Sequence, residues 1–472
     1  MKLEELNKLD IPERIKELKK FPAKRPETQR LLKDWDYSQH DVFNVEIRKK
    51  RKVLVKEPEE NPDGTIKKPA VYEEQEVNRI ALPLEQDIVN IHTAFTVGTE
   101  PSLTLQSEDE EETKFLSILK NIFAQNKIKY ENKRIVRSWL SECEVAEYWY
   151  TVENASWWQR VLGKLNLSSL PTRKLKSVIW SPFRGDTLYP YYDEFGDMIA
   201  FSREYKSKDK QGNDVTKLVV IDNQNVTTYA DEKQIEQFKH GFDKIPVIYM
   251  KREKPLCDRI RTKRNRLEVL LSNFADCLDY NFYPKLVATG DLEGVQNRGT
   301  TSEIINLKDG GQVAYLTWQQ SPEMARLEFD NLINYCYSLT NTPRISFESL
   351  KGTGNALSGT AFRYVFMGMH LEVSNHAEVI EEFLQRRVNF LVSAIGSVFP
   401  KMKNTADTIS IETEIVPYMI DSQSERITDA VNAVSGGVAS LETGIVMAGI
   451  TDRVQEEQEK IKNQTEKPLF DQ

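Results

Sequence analysis

The feature that most constrains the fold of this chain is one long amphipathic helix, predicted over residues 358–399. Its apolar residues recur in steps of three and four without a break: Phe362, Phe366, Met369, Val373, Ala377, Ile380, Leu384, Val388, Leu391, Ile395 and Val398. This is the spacing of one helix face, held for about eleven turns. At about 1.5 Å per residue the helix would span roughly 60 Å, longer than a compact domain of ordinary size needs. We therefore expect an elongated subunit, and neighbouring copies are the simplest candidates to cover the sides of this helix.

Composition and cysteine spacing limit the classes of protein to consider. The chain has 472 residues, 39% apolar and 29% charged, which allows a sizeable core and about three domains or one elongated body. No apolar run has the length of a membrane helix, and Met1–Leu6 lacks the apolar stretch of a signal peptide, so we expect a soluble protein. The four cysteines show no CxxC spacing, which favours reduced thiols in a cytoplasmic setting over a zinc site or a disulfide framework.

The net charge bears on nucleic-acid binding. At −8, the chain is a poor candidate for a protein that clamps nucleic acid by neutralising its phosphates, because that mode needs many Lys and Arg side chains on one face. The charge remains compatible with a protein that lets DNA pass.

The first third of the chain indicates a charged N-terminal region followed by helices. A strand is predicted at Val45–Val55, and a turn at Asn61–Gly64, where Pro and Gly supply the dihedral angles. Apolar spacing predicts a helix from Pro83 to a capping Gly98. Two further short helices fit Glu112–Gln125 and Asn132–Glu142.

Residues 145–250 change to a β-rich pattern. Gly, Asn and Asp turns separate runs rich in β-branched and aromatic residues, which predicts an antiparallel meander. The runs are Glu147–Val152, Ser177–Trp180, Met198–Phe201, Leu218–Ile221 and Val226–Tyr229.

The pattern returns to helical over residues 254–280, and the start of this helix is basic. Residues 252–266 contain seven Lys or Arg and two acids. Such a face either contacts nucleic-acid phosphates or is a solvated or subunit-bridging surface. The basic residues in question are Arg259, Arg261, Lys263, Arg264 and Arg266.

A small β unit and a second helix precede the long helix. Strands are predicted at Lys285–Thr289 and Glu303–Leu307, and a Gly310–Gly311 turn leads into Gln312–Trp318 as in a tight hairpin. Ser321 and Pro322 predict the cap and first turn of a helix that ends at Asn341, before Pro343. A Gly-punctuated loop then feeds the long helix.

This order of elements (helix, small β unit, helix, Gly-rich loop, very long helix) resembles that of the portal proteins of tailed bacteriophages. Several local strings also resemble recurring strings of that family, in the same order, over most of residues 78–463. They are Asn78–Ile80 leading to Ile88–Asn90 and Gly98–Pro101; Asn341–Pro343; Gly354–Ala361; and Ser440–Thr443 followed by Asp452. The first 70 residues match nothing in the family, and the C-terminal region is short for it.

The resemblance implies a fold class and a division of the chain. The fold is α+β: an elongated, portal-like subunit of a ring oligomer, with a mixed wing containing an antiparallel meander. The implied parts are a wing at 1–253 with an N-terminal arm at about 1–70, stem helices at 254–280 and 321–341, a clip at 281–320, a channel loop at 342–357, the long helix at 358–399, and a C-terminal strand and short helical crown at 401–472.

The resemblance also implies a function and partners. About twelve copies would form a ring at one capsid vertex, through which double-stranded DNA is packaged and ejected. The terminase large subunit and later the head-tail adaptor would dock on the clip, and the major capsid protein and a scaffolding protein would be further partners. The protein would be assembled in the host bacterial cytoplasm and become part of the virion, without contact to a membrane.

Two sets of site residues follow from this implied division, besides the basic stem residues named above. The channel loop would present Arg344 and Lys351 as phosphate contacts, with Gly352, Gly354 and Asn355 allowing it to change shape. The clip would offer Glu293, Arg298, Glu303 and Lys308 to terminase or adaptor. The alternative for the loop is a solvated connection between two helices.

The sequence does not indicate an enzyme, a cofactor or a metal site. Gly352–Gly354 lacks the spacing and the Gly-Lys-Ser/Thr of a phosphate-binding loop. The acidic run Glu108–Glu112 is more typical of a solvated helix N-terminus than of a cation site. His370 and His376 show no metal-ligand spacing and are expected to be packing or interface residues.

A rival interpretation belongs to a different class of protein. The Trp157–Trp158 pair and the many tyrosines of the β-rich block could stack on bases, as in a monomeric β-rich nucleic-acid-binding module. Such aromatic residues also fill β cores and subunit interfaces, and in that case their ring faces would not be available to bases.

Overall fold

The structure, a computed structural model, describes most of the chain. The described residues are 3–6, 8–20, 24–62, 66–107, 109–153, 173–208, 211–281, 285–289, 292–297, 303–307, 312–316, 322–344, 359–399, 402–418, 423–451 and 454–465. The helices are α1 Leu3–Leu6, α2 Ile11–Leu18, α3 Thr28–Trp35, α4 Leu84–Val97, α5 Glu110–Gln125, α6 Ile128–Glu142, α7 Arg261–Asn281, α8 Pro322–Ser338, α9 Gly359–Val398, α10 Lys403–Thr408, α11 Gln423–Ser435, α12 Leu441–Ala448 and α13 Val454–Thr465.

The strands pair in antiparallel ladders, which confirms the predicted α+β class. They are β1 Arg51–Lys56, β2 Glu59–Glu60, β3 Ile66–Lys68, β4 Val71–Gln75, β5 Ser102–Leu105, β6 Glu144–Glu153, β7 Arg173–Trp180, β8 Asp186–Tyr192, β9 Met198–Lys208, β10 Asp214–Ile221, β11 Asn225–Ala230, β12 Lys233–Lys239, β13 Val247–Lys251, β14 Lys285–Thr289, β15 Leu292–Asn297, β16 Glu303–Leu307, β17 Gln312–Leu316 and β18 Ile411–Glu414.

The predicted long helix is present as α9, with 40 residues. Its apolar stripe is buried, and residues from Phe366 to Ile395 along it are 5% exposed or less, except for the half-buried Ala377. The stripe packs on α4, α10, β13 and β18 of the same chain. The apolar stripe is therefore covered within the chain, by α4 and β13 of the predicted wing and by α10 and β18 of the C-terminal region, and the expectation of cover by neighbouring copies does not apply to this face. Met367 and Leu371, on another side of α9, remain 55% and 60% exposed.

The predicted antiparallel meander is confirmed for part of the β-rich block, but the block forms two sheets. Strands β8 to β12 do form a five-stranded meander, but β6 lies between β13 and β7 in a separate three-stranded sheet. A shared apolar cluster joins the two: Ala146, Trp180, Leu188, Phe201, Ile221, Val226, Val247 and Tyr249. Alternating apolar residues indicate an inner face for each strand, but they do not reveal that two inner faces pack on each other.

The N-terminal region is more structured than its weak pattern indicated. Helix α2 buries Ile15 and Leu18 against Tyr191, Ala200 and Leu218 of the five-stranded sheet. The predicted strand at 45–55 is displaced and begins at Arg51. Asn44 explains the difference, since its backbone carbonyl and side chain accept hydrogen bonds from the next residues in a turn.

The predicted hairpin between residues 303–307 and 312–318 is also wrong. Strand β17 pairs with β14, and β16 pairs with β15, so the two ladders are nested. Strand β15 was not predicted because it contains Gly294, next to a register shift in the ladder. The alternating pattern marks strands but leaves the choice of partner open.

The C-terminal strand, predicted at Thr408–Val416 within the 401–472 region, is shorter in the structure. It occupies Ile411–Glu414 and pairs with β5, which brings the chain after α9 back onto the wing. Helices α11, α12 and α13 follow it.

Candidate functional site

The candidate site consists of the helix pair α7–α8 and the start of the predicted channel loop. The two helices pack side by side, and α8 begins at Pro322. Helix α8 ends at Ser338, and Asn341 adopts a left-handed conformation with φ 52°. The predicted stop before Pro343 is confirmed, since the residue before proline disfavours the helical region.

The predicted basic residues lie on α7 or just before it, and one of them, Arg264, is not on an exposed face. Its side chain is 2% exposed and forms ion pairs with Asp34 at 2.9 Å and Glu85 at 3.4 Å. The prediction of a continuous basic face is wrong at this position. The signal was in the sequence, because Arg264 lies four residues after Ile260 and three before Leu267, in the apolar stripe itself.

The other four basic residues are at least partly accessible. Arg259 and Arg266 are exposed, and Arg261 and Lys263 are half-buried. Arg266 pairs with Glu328 of α8 at 2.8 Å, which ties the two stem helices together. Two of the five predicted basic residues, Arg264 and Arg266, are therefore compensated by acids within the chain.

Burial changes the protonation of the acid that faces Arg264. Desolvation raises the pKa of Glu85 to about 7, and the positive charge of Arg264 partly opposes this rise. The pair is held in the core between α4 and α7, so it fixes the start of the stem to the wing.

An extended segment of the chain runs along α7 and bonds to one of its faces. Backbone N–H groups of every second residue from 78 to 82 donate to side chains four residues apart on the helix. The bonds join Asn78 to Asp276 (2.8 Å), Ile80 to Ser272 (2.9 Å) and Leu82 to Glu268 (3.0 Å). Two extended residues and one helical turn both advance about 6 Å, so the spacings match. This gives a structural role to the Asn78–Ile80 string.

The N-terminal region adds further contacts to the same helix. Nδ1 of His40 lies 2.6 Å from a carboxylate oxygen of Glu268, both groups being 1% exposed. Arg48 donates to Asn273 at 2.7 Å and pairs with Asp276. Sequence reasoning missed this role, because the partners lie more than 200 residues apart and no local pattern links them.

The described start of the predicted channel loop is attached to two helices. The Thr342 hydroxyl lies 2.9 Å from Nε2 of His92 on α4, and the Asn341 amide donates to Glu372 on α9 at 3.1 Å. Arg344 is exposed and donates to Asn334 at 3.3 Å. The other predicted loop residues, Lys351, Gly352, Gly354 and Asn355, lie outside the described residues.

Two buried histidines, His92 of α4 and His376 of α9, pack beside the contact between Thr342 and α4. The rings of His92 and His376 have centroids 5.5 Å apart, and His376 also contacts Trp139 edge-on at 5.4 Å. Burial is the main cause that lowers the pKa of His92 to about 4 and that of His376 to about 3. Both are therefore neutral near pH 7, and His376 is a packing residue, one of the two roles expected for it.

The middle of α9 contains a buried charge that sequence reasoning missed. Arg387 is 1% exposed, donates to Glu147 of β6 at 2.6 Å and to Asn132 of α6 at 2.7 Å. This network connects the long helix to the wing. As with Arg264, the signal was in the sequence, because Arg387 lies three residues after Leu384 and four before Leu391 of the apolar stripe.

The predicted clip residues are only partly described. Glu293 lies in β15 beside the register shift, and Glu303 begins β16 opposite Asn297. Arg298 and Lys308 lie outside the described residues. Two of the four predicted contact residues thus lie in one ladder, formed by β15 and β16.

Among the described residues, no group of three or more His, Cys, Asp or Glu could hold a metal ion. The acidic run contributes an N-cap, where Asp109 accepts from the Glu111 N–H at 2.6 Å. No helix in the described ranges is long and apolar enough to cross a membrane. The Trp157–Trp158 pair lies outside these ranges.

Among proteins of curated function, none matches the chain. A solved structure described as "Neck of empty GTA particle computed with C6 symmetry" is similar over 79% of this chain and 91% of its own, with 11% identity and a TM-score of 0.43, too low to support an argument. The family model "Phage portal protein, SPP1 Gp6-like" matches residues 23–468. This match spans nearly the whole chain, including the stem, the long helix and most of the N-terminal region, and the chain therefore belongs to the SPP1 Gp6-like family of phage portal proteins.

Proposed function

We propose that about twelve copies of this chain form a ring at one vertex of a phage capsid, and that double-stranded DNA is packaged and ejected through its axial channel. Membership of the portal family supports the connector role. The ring and its size are inferences that need a surface by which copies associate.

The observation that carries this proposal is an open apolar groove between α7 and α8. It has a volume of about 680 Å³, and its lining includes Phe274, Met324, Leu327, Leu332 and Tyr335. Met324, Leu327 and Tyr335 are 68%, 54% and 55% exposed. Soluble monomers rarely leave such an apolar patch open to water, and patches of this kind mark association sites. We infer that a neighbouring copy covers the groove.

The division of the chain follows the family pattern. Residues 254–280 and 321–341 act as the stem, residues 281–320 as the clip, and residues 1–253 as the wing. Terminase and later the head-tail adaptor dock on the clip, where Glu293, Arg298, Glu303 and Lys308 are the proposed contacts. The 401–472 region supplies a reduced crown, and the assembled ring is a component of the virion.

The charge of the chain suits a channel through which DNA slides. A ring of twelve has twelve times the net charge of −8, so the DNA is not held by a strongly basic wall. Arg344 and Lys351 in the loop at 342–357 are the proposed transient phosphate contacts, repeated around the ring. The accessible stem residues Arg259, Arg261, Lys263 and Arg266 are further candidates for phosphate contacts. They contribute only where no acidic side chain neutralises their charge.

The rival function, a monomeric β-rich module that stacks on bases, is less well supported. Tyr148 stacks on Trp180 with ring centroids 4.7 Å apart, and on Tyr150 at 5.8 Å. Trp149 and Trp180 are 0% and 4% exposed. These aromatic faces are occupied by one another, so they do not form a stacking platform for bases.

The test is to measure the mass of the purified full chain by size-exclusion chromatography with light scattering, and to image it by electron microscopy. We expect a ring with a central pore, with some variation in subunit number. A monomer whose affinity for oligonucleotides falls steeply with salt would overturn the proposal in favour of the module. Metal-dependent DNA cleavage or ATP hydrolysis by the chain would also contradict it.

A further inference from the structure

A two-stranded hairpin extends from the N-terminal region, and no other strand among the described residues pairs with it. We call strands β1 to β4, residues 51–60 and 66–75, the hairpin arm. Strand β1 pairs only with β4, and β2 only with β3, among the described strands. In β1 and β4 every residue except Val53 is exposed. An isolated two-stranded hairpin is marginally stable in water, so this arm is expected to gain a partner.

The base of the hairpin arm is fixed to the stem. Just before the arm, Arg48 is bonded to Asn273 and Asp276 of α7. Just after it, Asn78 donates to Asp276 and Asp279. The guanidinium of Arg51 also lies 5.0 Å from the centre of the Tyr280 ring. The arm is therefore presented from a defined place at the end of α7.

The two outer edges of the arm carry charges of opposite sign along β1 and β4, and the signs are exchanged at the tip, where β2 contains Glu59 and Glu60 and β3 contains Lys67 and Lys68. Strand β1 contains Arg51, Lys52 and Lys56, and strand β4 contains Glu73 and Glu74. Apolar side chains are exposed between these charges, including Leu54 at 45% and Tyr72 at 59%. Each strand thus has a free hydrogen-bonding edge, apolar side chains and a charge that complements the other strand.

We propose that β1 of one copy adds to β4 of the neighbouring copy, so that the hairpin arms form a continuous sheet between subunits. This inference rests on the proposed ring, because rotation about the ring axis brings unlike edges of successive copies together. Pairing of unlike edges places Lys and Arg of β1 opposite Glu of β4, whereas pairing β1 with β1 needs a two-fold axis between neighbours, which rotation about the ring axis does not supply. The partner of the arm is a second copy of this chain.

Single-cysteine variants with different tags test this pairing. In a Cys277→Ser background, one chain carries Lys52→Cys in β1, and a second chain carries either Tyr72→Cys or Glu74→Cys in β4. Residues two apart on a strand share a face, so one of the two β4 positions is expected to face Lys52 of the neighbour. After mixed assembly and mild oxidation, we expect a disulfide-linked dimer containing both tags as the main cross-linked product.

The controls separate this inference from the ring itself. The Lys52→Cys chain mixed with Lys114→Cys, a 64% exposed position on α5, is expected to give no such dimer. Rings in micrographs without cross-links from either β4 position would overturn the arm pairing and leave the ring intact. Dimers formed by the Lys52→Cys chain alone would show pairing of like edges and also overturn it. Failure of wild-type chains to form rings would overturn the proposed function.

Discussion

The long helix α9 and the stem pair α7–α8 are both amphipathic, but the chain buries them to different degrees. The stripe of α9 is covered by α4, β13 and β18, whereas the groove between α7 and α8 leaves Met324 and Leu327 more than half exposed. One region is completed within a single chain and the other is not. The difference separates contacts that stabilise the folded subunit from those available for assembly.

The charged residues show the same division. On α9, Arg387 is buried with Glu147, while its neighbour Arg386 pairs with Glu382 at the surface, with side chains 52% and 60% exposed. A buried pair that loses one partner leaves an uncompensated charge in the core. An exposed pair is replaced by water at little cost.

The largest expected effect is on the buried pair. We expect Arg387→Ala to lower the free energy of unfolding by about 3–5 kcal/mol, because Glu147 then stays buried without its partner. The matched change Arg386→Ala should lower it by less than about 1 kcal/mol. Urea unfolding monitored by circular dichroism measures both. Equal effects of the two changes would show that α9 does not bury its charges as the structure has them.

A smaller effect is expected from acid at the buried histidines. The unfolded chain binds protons at His92 and His376 near pH 6.5, whereas the folded chain does so only near pH 4 and pH 3. The contribution of these histidines to the free energy of unfolding should therefore fall as the pH drops below 6.5, by about 1 kcal/mol per histidine at about pH 5.5, while Glu85, whose pKa is raised to about 7, contributes a change of opposite sign.

The variant that tests this dependence is His376→Gln. It removes one of the two histidines and leaves Glu85 in place, so between neutral pH and about pH 5.5 the stability of the variant relative to the wild type should rise by about 1 kcal/mol. Urea unfolding of both proteins at a series of pH values measures this difference. A difference that does not change with pH would mean that His376 is not a source of the acid sensitivity.

The elements predicted best from the sequence are those with long apolar repeats. Helix α9, the stop of α8 and the helix from Leu84 to Val97 follow from local spacing, proline and glycine, which act within a few residues. The sheets were predicted less well, because alternation identifies a strand without naming its neighbour. This is why β17 was assigned to β16 although it pairs with β14.

The candidate site was harder to predict, since its contacts join distant parts of the chain. Arg264 was assigned to a basic face from its neighbours in sequence, but its partners Asp34 and Glu85 come from α3 and α4. His40 and Arg48 bind α7 from the N-terminal region, where no family string was recognised in the sequence although the family model includes both residues. Buried polar networks depend on tertiary packing, which local periodicity does not encode.

The exposed stem groove should respond in the opposite way to the buried pair. We expect Leu327→Asp to change the free energy of unfolding by less than about 0.5 kcal/mol, because this side chain is largely in water in the single subunit. Ring assembly should nevertheless fail, since a charge is then placed in an apolar interface. Light scattering measures the mass and urea unfolding the stability.

The control for the groove lies on the same helix. Arg326 is 85% exposed and does not line the groove, so Arg326→Ala should leave both stability and ring mass unchanged. Rings of normal mass from Leu327→Asp would show that the groove is not a subunit interface.

The smallest effect on stability is expected at the proposed channel loop, where the consequence is functional. Deleting Ser349–Asn355 should leave the melting temperature and the rings unchanged, because the loop is assigned to the channel and the described anchors at Asn341 and Thr342 remain. Packaging or retention of DNA, measured as DNA per particle, should fall. Lys351→Gln is the sharper companion, since it removes only the charge and should weaken the phosphate contact without changing the length of the loop. If the deletion prevents ring assembly, the loop contributes to the contact between subunits. The loop would then belong with α7 and α8, which assembly completes, and not with α9, which is completed within the single chain.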